Sequence, residues 1–260
     1  MLSYTKYIHE NSDTWVTFVH GAGGSSTIWH KQVKEFRKRF NVLLLDLRGH
    51  GDSVTSNFLE NFNDIYTFDS LSEDIIEVIN HENIKQSHFI GISLGTIIIR
   101  TLAEKNPERV LSMVMGGAIM KLDFKSRLVL GLGMKLKKVI PYDKLYNVLT
   151  FFIMPYKNHR ESRMLHINES KKIYKEEFLK WFSLAVEINP LLRFFRSVEI
   201  KIPTLYIMGE EDYLFLPSIR KVVEKHTASN LFVVEDCGHV VNVEQPKLYN
   251  NMVLGYLAGF

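Results

Sequence analysis

Short, continuously apolar runs alternate with segments of helical apolar spacing over most of this chain. Trp15–Val19, Val42–Asp46, Ser87–Ile90, Val110–Val114, Thr204–Met208 and Leu231–Val234 have the length and apolar density of buried strands. Between them, Trp29–Phe40, Phe68–Ile79, Thr96–Glu104 and Leu216–His226 repeat apolar residues at helical intervals, as in Leu71, Ile75, Ile76 and Ile79. Pro246 suits the first position of a terminal helix running towards Tyr256, since its missing N–H would have no partner there. Strands apolar on both faces and separated by helices predict an α/β fold, a mostly parallel twisted sheet with helices on both faces.

The alternation stops between residues 118 and 195. That stretch shows helical patches rich in Leu, Phe, Met and Lys and no convincing strand. It reads as a helical insertion, a cap after the sixth strand position, within a core formed by residues 1–117 and 196–260. Its charge differs from the rest: residues 118–195 hold 15 Lys and Arg against 7 Asp and Glu, although the whole chain has a net charge of only +3. Such a basic surface would steer an anionic substrate, a thioester carrier or an anionic membrane surface, or it is simply the solvated outer face of the helices. Leu128, Val129, Leu130, Leu132, Met134, Leu149, Phe151, Phe152, Ile153 and Met154 are enough to line an apolar acyl pocket, although most of them would also serve to glue the helices to the sheet.

Composition narrows the function. At 260 residues, 46% hydrophobic and 23% charged, the chain has the makeup of a globular protein with a substantial core. No apolar run approaches the roughly 18–20 residues of a membrane span, and the N-terminal residues have no secretory apolar region. The single cysteine, Cys237, excludes an internal disulfide and suits a reducing cytoplasm, where it reads as a small buried filler. The small net charge argues against nucleic acid as a partner. The ten histidines lack metal-ligand spacing, so no metal is expected, and His81 and His88 read as surface residues.

The chemistry concentrates at Gly91-Ile92-Ser93-Leu94-Gly95, which lies between a predicted strand and a predicted helix. A serine on so sharp a turn needs small neighbours two residues to either side, and its hydroxyl then stands clear of the sheet at a helix N-terminus. A hydroxyl is a poor nucleophile near neutral pH, so a base must take its proton during attack. An imidazole suits that task and can return the proton to the leaving group. His239, in the loop after the last predicted strand, is the candidate.

The motifs occur in a characteristic order: the His20-Gly21 turn, the Asp46-x-Arg48-Gly49-His50-Gly51-x-Ser53 loop, the Ser93 elbow, Gly209-Glu210-Glu211-Asp212 and Gly238-His239. In this the chain resembles the α/β-hydrolase family at both ends, and the order Ser, Asp, His agrees with that fold. The resemblance implies a triad of Ser93, Asp212 and His239 and an oxyanion hole made of the backbone N–H groups of Ala22 and Leu94. Glu210 and Glu211 compete with Asp212 for the acid's role, while Asp236 is too near His239 in sequence to orient its ring. His20 and the Arg48–Ser53 loop shape turns beside the site. Two departures are Thr96, where many relatives carry a second glycine, and a short leading segment, which implies a trimmed leading hairpin.

A serine at the elbow argues against haloalkane dehalogenases and epoxide hydrolases, which need a carboxylate there. It points to a serine hydrolase cleaving carboxylic esters or thioesters of small to medium acyl groups through an acyl-enzyme, without a cofactor. A C–C bond hydrolase or lyase of the same fold is the alternative enzyme, and a hydrolase-fold signalling receptor is the alternative of a different class. The fold alone does not separate them.

Overall fold

The computed structural model describes residues 1–54, 66–136 and 140–260. Among them, one sheet contains β1 (Ser3–Tyr7), β2 (Trp15–Val19), β3 (Asn41–Asp46), β4 (Ser87–Ile92), β5 (Val110–Gly116), β6 (Thr204–Gly209) and β7 (Ser229–Val234), in the spatial order β1-β3-β2-β4-β5-β6-β7. Every pairing is parallel except that of β1 with β3. All six residues of β3 are buried, as are those of β4 and β6, which is why these runs read as continuous rather than alternating. The strand period then divides them between layers: Leu43 and Leu45 enter one core, Val42 and Leu44 the other.

The helices Phe68–His81, Leu94–Lys105 and Leu216–Val223 cover one face; His30–Phe36 and Pro246–Leu257 cover the other. Phe68–His81 starts with a capping box in which Thr67 and Ser70 exchange side-chain and backbone bonds, occupying N–H groups that would otherwise be orphaned. The predicted Trp29–Phe40 helix is shorter, His30–Phe36 behind a 3-10 turn at Ser26–Trp29. The chain must leave the helix there because the Asn41 N–H donates to the Thr14 carbonyl at 2.9 Å to begin β3.

Two expectations need correction. His88 is a buried residue, not a surface one: it stands on central strand β4 with Nδ1 2.7 Å from Ser112 Oγ, and burial pushes its pKa down to about 4. The helical insertion follows the fifth strand of this sheet, not the sixth. The leading segment supplies one strand, β1, which pairs antiparallel with β3 at the sheet edge. The β1 run has little apolar content, and its edge position tolerates that.

Between β5 and β6 lie the helices Phe124–Leu136, Tyr142–Ile153, Arg160–Ser170, Lys175–Ser183 and Ala185–Ser197, with no strand among the described residues. This segment meets the core at the loops following the strands. His166 bonds Ala22, Trp181 bonds Arg48, His159 bonds Glu211 and Ser162 bonds Glu244. It therefore covers the carboxyl ends of the strands, where open α/β sheets hold their ligands.

Candidate active site

Ser93 follows β4 and caps the helix Leu94–Lys105 with φ 53° and ψ −123°, a left-handed φ that a side-chain-bearing residue adopts only when its surroundings enforce it. Three contacts enforce it. The Ser93 N–H donates to the Gly116 carbonyl at 2.9 Å, and Thr96 Oγ1 donates to the Ser93 carbonyl at 2.6 Å. Gly95 lies so close to β2 that a Cβ there would collide with the Val19 and His20 carbonyl oxygens. The threonine that departs from the common pattern is thus an extra clasp on the turn.

The three residues singled out in the sequence form one hydrogen-bonded line. His239 Nε2 is 2.8 Å from Ser93 Oγ, and His239 Nδ1 is 2.8 Å from Asp212 Oδ2. A carboxylate only accepts, so Nδ1 carries the proton and Nε2 is free to accept from the serine hydroxyl. Asp212 is 1% exposed, its Oδ1 accepts from the Phe215 N–H at 3.3 Å, and the Phe215 ring leans on His239 at 5.2 Å between centroids. The competing carboxylates are turned elsewhere. Glu211 takes His159 Nε2 at 2.8 Å and Asn158 Nδ2 at 2.6 Å; Glu210 is exposed, and so is Asp236.

The loop of Gly21 to Gly24 runs beside Ser93, close enough that a Cβ on Gly21 would lie 3.0 Å from Ser93 Cβ. Three imidazoles hold it. His20 Nδ1 donates to the Gly21 carbonyl at 2.7 Å, while its Nε2 accepts from the Leu47 N–H at 3.0 Å. His50 Nε2 accepts from the Gly23 N–H at 2.9 Å, while its Nδ1 donates to the Arg48 carbonyl at 2.9 Å. His166, from the insertion, donates from Nε2 to the Ala22 carbonyl at 2.9 Å, with Nδ1 2.7 Å from Thr150 Oγ1. The bonds to His20 and His50 require the neutral ring, and burial ensures it. Desolvation lowers the pKa of His20, pushes His50 down to about 3 with the neighbouring His20 adding to it, and pushes His166 down to about 4. Among the described residues, neither the Ala22 nor the Leu94 N–H is spent on a hydrogen bond within the protein.

The loop of Asp46 to Ser53 backs this arrangement. Asp46 accepts from the Ser26 N–H at 2.7 Å and the Asp52 N–H at 3.0 Å, Ser53 Oγ donates to the Asp46 carbonyl at 2.7 Å, and Arg48 forms a buried two-point ion pair with Asp74. Cys237 is buried beside Glu244, and burial pushes its thiol pKa up, so it stays an unreactive thiol.

Ala22 and Leu94 also line a cavity of about 170 Å³ whose walls are almost wholly apolar, with Phe178, Trp181 and Phe182 among them. Of the ten residues proposed for an acyl pocket, Leu149 and Ile153 line it. Leu128, Leu132 and Phe151 are exposed, Met154 is buried in the core beneath the sheet, and the side chains of Leu130 and Met134 lie outside the described residues. The rest of the wall comes from Tyr146, His166 and Leu184 and from the helices Lys175–Ser183 and Ala185–Ser197. Phe178, Trp181 and Phe182 fall at helical spacing on one face, and that spacing was the available sequence signal. The functional residue missed outright is His166, whose partner is a backbone carbonyl far away in sequence.

A family model described as alpha/beta hydrolase fold matches residues 14–137. The 3-oxoadipate enol-lactonase 2 of Acinetobacter baylyi is 24% identical over 247 residues, covering 94% of this chain and 88% of that protein. Among solved structures, a hydrolase from Oleispira antarctica superposes with a TM-score of 0.85 at 18% identity, over 100% of this chain and 95% of that one. The enol-lactonase from Burkholderia xenovorans LB400 does so with a TM-score of 0.81 at 19% identity, over 99% and 96%. With the sheet order, the strained turn after β4 and the loops that converge on it, these matches lead to one assignment: the chain has the alpha/beta hydrolase fold.

Proposed function

We propose that this protein is a serine hydrolase that cleaves carboxylic esters or thioesters of small to medium acyl groups through an acyl-enzyme. The observation that carries the reading is the line Ser93–His239–Asp212 at 2.8 Å and 2.8 Å, with Ser93 held at φ 53°. In this mechanism Ser93 Oγ attacks the acyl carbon while His239 Nε2 takes its proton, and Asp212 stabilises the imidazolium. The negative charge on the carbonyl oxygen is received by the Ala22 and Leu94 N–H groups, donors of a kind whose loss typically costs ~10²–10³ in rate. The imidazolium returns its proton to the departing alcohol or thiol oxygen or sulfur. Water, deprotonated by His239, then attacks the acyl-enzyme; the acid leaves and Ser93 regains its proton.

The cavity supports a modest acyl size. An apolar cavity of about 150 Å³ accepts benzene, and the one beside Ala22 and Leu94 has about 170 Å³, so a chain or ring of comparable bulk fits without rearrangement. Relatives named as enol-lactonases act on a cyclic ester, which favours including lactones among the substrates tried. The test is a p-nitrophenyl ester series from acetate to palmitate, with a lactone set beside it, on wild type and Ser93→Ala, together with labelling by a fluorophosphonate. Turnover of short esters and labelling that are both abolished in Ser93→Ala are expected. Labelling without turnover of any ester or lactone would overturn the hydrolase reading and favour the receptor; absence of both would mean Ser93 is not activated.

A further inference from the structure

The polar groups that face the cavity beside Ala22 and Leu94 can be accounted for one by one. Three of its lining side chains carry a polar atom: Trp181, His166 and Tyr146. Trp181 Nε1–H is committed to the Arg48 carbonyl at 2.8 Å, and both ring nitrogens of His166 are engaged, with Ala22 and Thr150. The Tyr146 hydroxyl has no hydrogen-bond partner among the described residues, although the residue is only 9% exposed. Its ring is fixed, packed between His166 at 5.0 Å and Phe178 at 5.5 Å between centroids. Its hydroxyl end rests on Gly23, whose φ of +71° and missing side chain both matter, since a Cβ there would overlap the phenol oxygen. The loop that carries Ala22 is therefore shaped to admit this hydroxyl.

A phenylalanine would fill the same space without the cost of desolvating a hydroxyl that makes no hydrogen bond to the described residues. Burial also pushes the Tyr146 pKa up, so the phenol remains protonated and can donate. The scissile carbonyl oxygen already has two backbone donors in the hydrolase reading, so this third donor is available for a different substrate atom. We infer that Tyr146 is a specificity-determining residue whose O–H donates to a second oxygen of the substrate, selecting compact, mainly apolar esters or lactones with an acceptor oxygen near the scissile carbonyl. This rests on the serine-hydrolase reading and names its substrate class. A purely alkyl ester would bind with the hydroxyl still unpaired, and sites built to bond a substrate oxygen discriminate against analogues lacking it.

The experiment compares Tyr146→Phe with wild type on matched pairs of esters. p-Nitrophenyl methoxyacetate is paired with the butyrate, and the 4-oxopentanoate with the 4-methylpentanoate. A mirrored pair, the butyrates of 2-methoxyethanol and 1-butanol, places the oxygen on the alcohol side. Taking the variant-to-wild-type ratio of kcat/KM for each ester cancels differences in intrinsic reactivity. The expected result is a loss of about tenfold for the oxygenated member of at least one pair, with its alkyl partner within about twofold. Equal losses across every pair, or no loss in any, would overturn the assignment. Fluorophosphonate labelling of Ser93 at the wild-type rate in Tyr146→Phe shows that the site is still assembled. Wild-type failure on all of these esters would overturn the parent reading, and this assignment with it.

Discussion

Replacing His166 with alanine removes the bond by which the helical insertion holds the loop beside Ser93. Two adjacent peptide units are involved. The Gly21 carbonyl, on the peptide that carries the Ala22 N–H, accepts from His20 Nδ1 at 2.7 Å and from the Gly24 N–H at 3.2 Å. The following peptide is held at the Ala22 carbonyl by His166 and at the Gly23 N–H by His50, each at 2.9 Å. The substitution deletes one of these four bonds, which is worth about 0.5–1.5 kcal/mol. If that energy is felt wholly in the placement of the Ala22 N–H at the transition state, kcat falls by up to about tenfold, since ~1.4 kcal/mol is a factor of ten. Outright loss of the donor, ~10²–10³, is the ceiling, because three restraints remain. The substrate's ground state gains little from this donor, so KM should stay within about threefold. Thr150 is not stranded, as its hydroxyl lies 2.8 Å from the Tyr146 carbonyl. The assay is steady-state hydrolysis of p-nitrophenyl butyrate by folded wild type, His166→Ala and His166→Gln, with Tm measured alongside. Glutamine keeps an N–H donor of similar reach and should restore most of kcat. An unchanged kcat in folded His166→Ala, or equal impairment of the two variants, would refute the positioning role.

Other outcomes follow from the same geometry. Asp212→Asn should keep the fold and lower kcat by ~10⁴, because the amide does not fix the His239 tautomer; a loss under about tenfold in the pre-steady-state burst would point to a different acid. Phe182→Ala should enlarge the cavity, move the best acyl chain to greater length and cost about 3 kcal/mol in denaturant unfolding; an unchanged chain-length optimum would mean that acyl groups lie elsewhere. The histidines set a pH limit on stability: folded His50 and His166 titrate near about 3 and about 4, against about 6.5 in the unfolded chain. The unfolded chain thus binds more protons in that window, so stability is complete above about pH 6.5 and declines as pH falls towards 4. A Tm constant from pH 7 to pH 4.5 would contradict this. If the basic residues 118–195 steer anionic carriers, kcat/KM for an acyl-coenzyme A thioester should fall with added salt while that for a neutral ester holds; equal responses would remove the steering role.

The parts of the molecule legible in the sequence were those fixed by local physics. Strands buried on both faces must be apolar throughout, so β2 to β6 appeared as runs. The Ser93 turn must have glycine at 95 because the Val19 and His20 carbonyl oxygens leave no room for a side chain, while at 91 a Cβ would press on Ile99 and the Gly95 backbone. What escaped depends on contacts distant in sequence. β1 is half solvated and draws its stability from the β3 backbone rather than from its own side chains. His88 looked polar, yet Ser112 on the neighbouring strand and the rings of Phe40 and Phe260 make it a core residue. The insertion's apolar count was informative about burial and poor about direction, since periodicity alone did not say which helix face meets the core. In the structure Asp212 meets His239, while Glu211 is taken by His159, a residue 52 positions away in sequence.

The parallel pairing of β5 with β6 across the helical insertion has a consequence for the order in which the molecule matures. Ser93 and His239 are 146 residues apart, and Asp212 lies 27 residues before the base. During synthesis the strained turn is therefore complete while the groups that would activate its hydroxyl have yet to be translated. Closing so long a loop is slow, and such non-local pairings form late. A growing chain carries a chemically silent serine, and the onset of turnover would report that the two halves of the sheet have joined.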